Sequence, residues 1–259
     1  MTLLTVLFAL FVWWFSTGVI FWTVSRGAGL VKVLLSAPLA VLSAFGLVWA
    51  AGLDTLEGAV IGFCCAIAIW GWFELAFLTG VITGPNKRPC PPGLNGPRHF
   101  LMAWGTLAHH EIALLATSIG LGAAVWAAPD HTGLWTFLIL FFARISAKLN
   151  VYLGVPNLSH ELMPEAVAHM KTYFATRRMN WLFPVSITVM TFALACWIER
   201  AIATPGDATG FVLLAALTGL ALLEHWLMVL PVRDSALWQW MTKSPANIGP
   251  AGAKPADHG

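Results

Sequence analysis

Seven long apolar runs follow one another through the chain, and they limit what it can fold into. Each run is long enough to cross a hydrocarbon core of roughly 30 Å at about 1.5 Å per residue. Backbone N–H and C=O groups find no water in that core, so spans of this length fold as helices. We expect an all-α polytopic membrane protein with about seven transmembrane helices, near residues 2–24, 33–51, 56–82, 100–125, 133–151, 181–201 and 210–230.

The composition supports this class and excludes some partners. Hydrophobic residues make up 58% of the 259 residues and charged residues 10%, which is far from the averages of soluble proteins. We expect residues 1–243 to form one transmembrane domain in contact with the lipid bilayer, and the Pro-, Ala- and Gly-rich residues 244–259 to be a disordered tail. The net charge of +2, without a basic patch interleaved with aromatic residues, argues against nucleic acid as a partner.

The basic residues predict how the spans are oriented. If seven spans are counted, 13 of the 14 Lys and Arg residues fall on one side of the membrane, and only Arg200 lies on the other. Connections rich in Lys and Arg stay in the cytoplasm. The chain is therefore expected to start outside the cell membrane and to end in the cytoplasm, with seven spans.

Two of the predicted cytoplasmic connections have structure of their own. Residues 83–99 contain several prolines and glycines and predict an irregular loop. Residues 150–180 contain a turn signal at 154–157, followed by apolar residues at helical spacing: Met163, Val167, Met170 and Phe174. This pattern predicts a short cytoplasmic interfacial helix lying on the membrane surface, or else a helix that packs on the protein's own loops.

Charged and histidine side chains inside the spans are the candidate functional residues. An ionised group at the centre of a membrane helix costs roughly 2.5–3.5 kcal/mol, so such residues face a protein interior, a cavity or a ligand. The predicted depths, roughly 9–15 Å at helical rise, place them together in the cytoplasmic half of the bundle. The candidate cluster, for pigment or partner contact, is Glu74, His109, His110, Glu111, Arg144, Lys148, Glu224 and His225.

Each member of the cluster also has a structural interpretation. Glu74 could be protonated or could pair with Arg144. His109 and His110 point about 100° apart on a helix, so both do not readily serve one small site. Thr106 lies one turn before His110 and could bond to it. The basic side chains of span five could instead contact lipid headgroups, and those near the end of span seven could be solvated.

Metal binding is weakly signalled. Imidazole and carboxylate groups suit iron or zinc, but no span carries the Glu-x-x-His spacing of four-helix di-iron sites. His160-Glu161 is not followed by the second histidine of an HExxH zinc helix. A single histidine could ligate the magnesium of a chlorophyll-type pigment. The metal and cofactor content therefore stays unknown, with a chlorophyll-type pigment as one candidate.

Several segments resemble the photosynthetic-complex assembly proteins of purple bacteria, of the PuhE type. The similarity is carried by Trp72-Phe73-Glu74, Leu78-Thr79-Gly80, Thr83-Gly84-Pro85 and the His-His-Glu run, and it is strongest from Ala143 to Pro184. That stretch contains Arg144-Ile145-Ser146-Ala147-Lys148-Leu149-Asn150, Leu153-Gly154-Val155-Pro156-Asn157 and Arg178-Met179-Asn180-Trp181-Leu182-Phe183-Pro184. Within it, Pro156, Asn157 and Asn180 are candidate loop contacts.

The resemblance implies a role in biogenesis of the photosynthetic reaction centre and its core antenna, or in bacteriochlorophyll supply. The partners would be subunits of those complexes or other assembly factors, in the inner membrane or the intracytoplasmic photosynthetic membrane. We favour a non-enzymatic assembly factor. The alternative is a membrane-embedded metal-dependent oxidase or pigment-modifying enzyme that uses the Glu and His cluster.

Overall fold

The computed structural model describes residues 2–27, 29–157, 163–205 and 208–230, and within these ranges it contains helices and no strand. The predicted tail at 244–259 and His160 lie outside the described residues. The helices are α1 Thr2–Ser25, α2 Gly29–Ala51, α3 Leu56–Leu78, α4 Gly96–Gly105, α5 Ala108–Ala124, α6 Thr132–Leu153, a 3₁₀ helix Glu165–Tyr173, α7 Leu182–Ala203 and α8 Ala208–Leu227.

Six of these helices, α1, α2, α3, α6, α7 and α8, are long and apolar enough to cross a membrane. Their bounds lie close to six of the predicted spans. Apolar side chains on the outer faces of α1, α2 and α7 are exposed, among them Leu35, Phe45 and Phe192. Such faces are suited to lipid, and the all-α polytopic membrane class is confirmed.

The predicted span at 100–125 is not one helix, and on this point the prediction was wrong. The chain forms α4, breaks at Thr106 and Leu107, and continues as the 17-residue α5. The loop after α3 enters the break. The backbone N–H of Asn86 donates to the carbonyl of Gly105 at 2.9 Å, and the N–H of His110 donates to the carbonyl of Thr83 at 2.9 Å.

These contacts explain why the helix can stop there. Breaking a helix frees backbone groups, which are costly to bury without partners. The Asn86 side chain also donates, from Nδ2, to the carbonyl of Met102 at 2.9 Å, so the loop replaces bonds that a continuous helix would have made. The backbone of the loop comes so close to the helix break that residue 84 must be glycine, because a Cβ there would overlap the carbonyl oxygen of Gly105. Apolar periodicity alone carries no sign of such a break.

Four helices, α1, α3, α6 and α8, run in the same direction. Near their starts, a Cβ on Gly62 of α3 would lie 3.2 Å from the backbone nitrogen of Gly133 in α6. A Cβ on Gly210 of α8 would clash with Thr132 Oγ1 of α6. Near their ends, Arg144 bonds Glu74 and Ser146 bonds His225. The same holds for α1 and α3: Phe8 lies near Phe63 in the first half of both helices, and Ile20 lies near Gly71 in the second half.

Because α3 and α6 are parallel, the chain must return across the bundle between them, and α5 does this. It starts beside Thr83, which follows α3, and its final turns pack with Leu47 and Ala51 of α2 at the opposite end. At about 1.5 Å per residue its 17 residues cover about 26 Å. This geometry supports the expected seven crossings, although α5 is shorter than the six long apolar helices.

We call the end of the bundle where α1, α3, α6 and α8 finish the basic end. Of the eleven Lys and Arg residues among those described, only Arg200 lies at the opposite end. The ten at the basic end are Arg26, Lys32, Lys87, Arg88, Arg98, Arg144, Lys148, Lys171, Arg177 and Arg178. This asymmetry agrees with the expectation that the basic end faces the cytoplasm, which stays a prediction.

A dry seam joins the parallel helices at mid-bundle. Ala9, Phe63, Ile67, Leu213 and Leu217 are buried together, and Leu140 of α6 packs against them. Lipid is as apolar as these side chains, so moving them from lipid into the protein removes no surface from water. Their burial stabilises the bundle through close packing instead. The seam fixes the faces that α3, α6 and α8 turn towards one another.

The 3₁₀ helix decides between the two interpretations of its apolar pattern. Val167 and Met170 are buried with Phe77 of α3, and Leu107 at the helix break packs against this group. Tyr173 is also buried; its hydroxyl accepts from Asn86 Nδ2 at 2.9 Å and donates to the carbonyl of Arg88 at 3.1 Å. The helix therefore packs on the protein's own loops, and with residues 79–95 it forms what we call the roof over the basic end.

Candidate functional site

The two acidic side chains deepest in the bundle are each paired with a basic side chain of α6. Glu74 of α3 accepts from Arg144 through Oε2 at 2.8 Å, so the expected Glu74–Arg144 pair is present. The two side chains differ in exposure, since that of Glu74 is 8% exposed and that of Arg144 is 41% exposed. The pair is thus anchored inside the protein and open on the guanidinium side.

The second pair joins α5 to the same helix one turn later. Lys148 Nζ lies 2.5 Å from Glu111 Oε1 and 4.7 Å from the centre of the Phe77 ring. Glu111 stands in the first turn of α5, where a carboxylate is stabilised by the helix dipole. Arg144 and Lys148, for which contact with lipid headgroups was considered, each bond a buried carboxylate.

His110 lies beside these pairs and is fully buried, with 0% exposure. Its ring is 4.6 Å from the ring centre of Phe77 and 6.4 Å from that of Phe73. The expected bond from Thr106 is absent, because the Thr106 hydroxyl donates to the carbonyl of Ala103 instead. Neither ring nitrogen of His110 has a hydrogen-bond partner among the described residues.

We call Glu74, His110, Glu111, Arg144 and Lys148 the polar centre. Several of its buried atoms are unsatisfied within the described part of the chain: Glu74 Oε1, both His110 nitrogens, Glu111 Oε2 and Arg144 Nε. Buried polar groups are nearly always bonded in folded proteins, so a group of unpartnered atoms in one place needs an explanation. The polar centre is therefore the first candidate for binding.

Two residues predicted for the cluster lie at its edge or outside it. His109 is exposed on the face of α5 that points away from His110, as their angular separation predicts, and does not join the polar centre. Glu224 of α8 is exposed too, but its charge acts on Arg144. Glu224 therefore extends the polar centre towards α8, whereas His109 does not take part.

His225 belongs to a different network, which ties α6, α7 and α8 together. Its Nδ1 lies 2.8 Å from the carbonyl oxygen of Ala221, and its Nε2 lies 2.9 Å from Ser146 Oγ. A carbonyl oxygen only accepts, so a neutral His225 carries its proton on Nδ1 and accepts the Ser146 hydroxyl at Nε2. His225 is buried and bonded, so the solvated position considered for it is wrong.

The same network continues towards the basic end. Asn150 Nδ2 donates to Ser186 Oγ at 3.0 Å, and Ser186 Oγ lies 2.9 Å from Ser146 Oγ. Asn180 Nδ2 donates to the carbonyls of Asn150 and Gly154, while its Oδ1 accepts from the backbone of Leu182 and Phe183. Asn180 thus caps the start of α7 and the end of α6 at once. We call Ser146, Asn150, Asn180, Ser186 and His225 the clamp.

The remaining predicted loop contacts, Asn157 and Pro156, differ in whether they bond other parts of the chain. Asn157 donates from its backbone N–H to the carbonyl of Met228 and from its side chain to those of Leu227 and Leu230, which closes the end of α8. Pro156 is exposed. Asn157 and Asn180 therefore satisfy backbone groups within the chain, and Pro156 is the most exposed of the three.

A metal centre does not emerge from this arrangement. Among residues 2–27, 29–157, 163–205 and 208–230, no three His, Cys, Asp or Glu side chains stand where they could hold one metal ion. The carboxylates of the polar centre bond cationic side chains instead. The metal-dependent oxidase considered from the sequence gains no support from the described residues.

The comparisons with known proteins place this fold in a family. The model of the family DUF3623, described as a protein of unknown function, matches residues 1–248. The chain belongs to this family. The match covers all of the described helices, the polar centre and the clamp.

One relative of the chain comes from Rhodobacter capsulatus. It is 47% identical over 260 residues, which cover 97% of this chain and 95% of the relative. Its printed name is "uncharacterized 30.4 kDa protein in puhA 5'region". No solved structure matches the chain. The PuhE type suggested by the sequence motifs stays a prediction.

The predicted site residues omitted three of the five members of the clamp. Ser146, Asn150 and Ser186 are small polar residues, common enough in membrane helices to attract no attention singly. A signal was available, because Ser146 and Asn150 are four residues apart and share one face of α6. That Ser186 of α7 and His225 of α8 lie opposite that face depends on how the three helices pack.

Proposed function

We propose that this chain is a non-enzymatic assembly factor for the photosynthetic reaction centre and its core antenna, in the membrane of a photosynthetic bacterium. It would hold an immature membrane subunit, or a bacteriochlorophyll on its way to one, through the polar centre. Its roof would contact a second factor at the cytoplasmic side.

The family relative supports the context of this proposal. A protein 47% identical over nearly its whole length is named for its position in the puhA 5' region, which suggests a photosynthesis-related role for the family. The sequence motifs described above resemble assembly proteins of purple bacteria and carry the finer assignment.

The observation that carries the proposal is a polar centre at membrane depth that is partly open. Arg144 lies about nine residues before the end of α6, roughly 13 Å from the basic end, yet its side chain is 41% exposed. A charged group exposed at that depth is expensive in lipid unless something polar covers it. A protein that binds another membrane component has such a surface before the component arrives.

Deletion of the gene in a photosynthetic host tests the proposal, followed by complementation with variants. We expect deletion to lower the near-infrared absorption of reaction-centre and core-antenna complexes in isolated membranes, and the unaltered chain to restore it. His110→Ala should restore it only in part, while immunoblots show undiminished amounts of the variant protein.

Glu199→Gln is the matched control, because Glu199 is an exposed carboxylate near the end of α7 that lies away from the basic end. It should restore absorption fully. Normal complex levels in the deletion strain would refute the assembly role, and full restoration by His110→Ala would remove His110 from it.

A further inference from the structure

Three charged side chains extend the dry seam towards the basic end. Glu74 lies two turns after Ile67 on α3, Arg144 one turn after Leu140 on α6, and Glu224 two turns after Leu217 on α8. Residues at these spacings share a helix face. The seam is therefore apolar at mid-bundle and becomes a charged recess near the basic end, formed by the same three helices.

The hydrogen-bonding capacity of this recess is only partly used. Glu74 is buried, with 6% exposure, and its Oε1 has no partner in the described part of the chain. Glu224 is exposed and, within the same residues, forms no ion pair. These two carboxylates accept hydrogen bonds when ionised and donate none, whereas Arg144 Nε, also without a partner among the described residues, is a donor.

The formal charges point to the kind of ligand. Glu74 is paired with Arg144 and Glu111 with Lys148, whereas the carboxylate of Glu224 has no cationic partner of this kind among the described residues. One negative charge is left over when all five are ionised. A group that fills the recess should therefore bring N–H donors and a positive charge, as an ammonium or guanidinium does.

We propose that the recess at Glu74, Arg144 and Glu224 binds a Lys or Arg side chain at the cytoplasmic end of a partner's transmembrane helix. Transmembrane helices carry Lys and Arg at their cytoplasmic ends, and by the same rule the recess lies towards the cytoplasmic side of this protein. Leu223, next to Glu224 on α8, is 53% exposed and offers apolar surface to the body of that helix. The inference rests on the proposed function and names the chemistry of the partner that the factor holds.

Two synthetic model helices test this inference in vesicles that contain the full-length protein. Both peptides have a Leu-Ala core; one is flanked by Lys and the other by Trp. Energy transfer between a labelled peptide and the labelled protein reports association. We expect the Lys-flanked peptide to bind about tenfold more tightly, which corresponds to one charge-assisted hydrogen bond.

Charge-removing variants locate the effect. Glu224→Gln should abolish the preference for the Lys-flanked peptide, while Glu199→Gln, which removes a carboxylate far from the recess, should keep it. Equal binding of the two peptides to the unaltered protein would overturn the inference. An unchanged preference in Glu224→Gln would overturn it as well.

The chain's own C-terminal residues are the competing occupant, since Arg233 follows α8 closely in the sequence. Arg233→Gln should leave binding of the Lys-flanked peptide unchanged. A tenfold or larger gain in that variant would show that Arg233 fills the recess and would overturn the partner assignment.

These outcomes are separate from those of the proposed function. If peptides show no charge preference while gene deletion still lowers complex levels, the assembly role stands and the recess has another use. If deletion has no effect but the charge preference is present, the recess binds a cationic helix outside photosynthetic assembly.

Discussion

The polar centre and the clamp lie on opposite faces of α6, a few residues apart, and differ in how completely their atoms are bonded. In the clamp, both nitrogens of His225 and all the side-chain polar atoms of Ser146, Ser186 and Asn180 have partners, and Asn150 Oδ1 is the exception. In the polar centre, five buried atoms lack partners among the described residues.

This difference separates two uses of polar residues in a membrane protein. A satisfied network fixes helices relative to one another, because any rearrangement would break several bonds at once. A network with unpartnered atoms can bond a ligand through them, but each such atom lowers the stability of the unbound protein. His110 and His225 illustrate this, since both are buried histidines, but within the described residues only the ring of His225 has hydrogen-bond partners.

The largest effect is expected from breaking an ion pair of the polar centre. Lys148→Met leaves Glu111 buried without its cation, which should lower the free energy of unfolding by about 3 kcal/mol. Thermal denaturation of the detergent-purified protein measures this. The double variant Glu111→Gln/Lys148→Met should recover most of the loss, and equal losses in the single and double variants would show that the pair is not what stabilises this region.

Gly84→Ala tests whether the roof must reach the polar centre. The added Cβ would overlap the Gly105 carbonyl oxygen and push the loop out of the helix break, at a cost of about 2 kcal/mol in the free energy of unfolding. Gly120→Ala is the control, because a Cβ there meets nothing within 4 Å. It should be neutral or stabilising by up to about 1 kcal/mol, as in other helices. Similar losses in both variants would contradict the close approach.

Replacing each histidine by leucine compares the two regions directly. His225→Leu removes bonds to Ser146 and Ala221 and should cost about 1–2 kcal/mol in the free energy of unfolding. His110→Leu removes no bond to a described residue and should cost less, or should stabilise the protein. Denaturation midpoints measured side by side check the order, and a larger loss for His110→Leu would remove the distinction.

The smallest effect is a pH dependence of the roof. Burial lowers the pKa of His169 below its ordinary 6.5, and the nearby charge of Lys87 lowers it further. A hydrogen bond to the backbone of Asn86 raises the pKa and offsets part of this shift. The folded chain then binds fewer protons than the unfolded chain, so the stabilisation is present above about pH 6.5 and is lost as pH falls through the folded-state pKa. Hydrogen exchange of the Asn86 and Arg88 amides from about pH 8 to about pH 5.5, corrected for intrinsic rates, should show opening on acidification. His169→Gln should remove that dependence.

Most of the architecture was predictable because it follows from local rules. Apolar length gave the six long helices, and the partition of Lys and Arg gave their alternation, since both depend on the sequence near each span. The break between α4 and α5 was not predictable in this way. Its residues are apolar enough for a continuous helix, and the bonds that replace the helical ones come from residues 83–86.

Most residues of the candidate site were predictable from the sequence, but which of them contact one another was not. Six of the eight cluster residues, including Glu74, Arg144 and Lys148, meet at the polar centre or at its edge, because charged residues at similar depth must find one another in lipid. Which face each side chain takes depends on helix rotation. That rotation sent His109 outward and His225 into the clamp.

By itself the sequence determined that the chain spans a membrane as helices, which end of the bundle is basic, and which charged residues need partners. These properties follow from transfer free energies that belong to each segment separately. Only the tertiary structure decided that Glu74 pairs with Arg144 and Glu111 with Lys148, and that residues 83–86 enter the α4–α5 break. It also decided that the ring nitrogens of His110 have no partner among the described residues. Those outcomes depend on how helices far apart in sequence rotate and pack against one another, because a buried polar atom is satisfied only by what the neighbouring helix or loop brings to it.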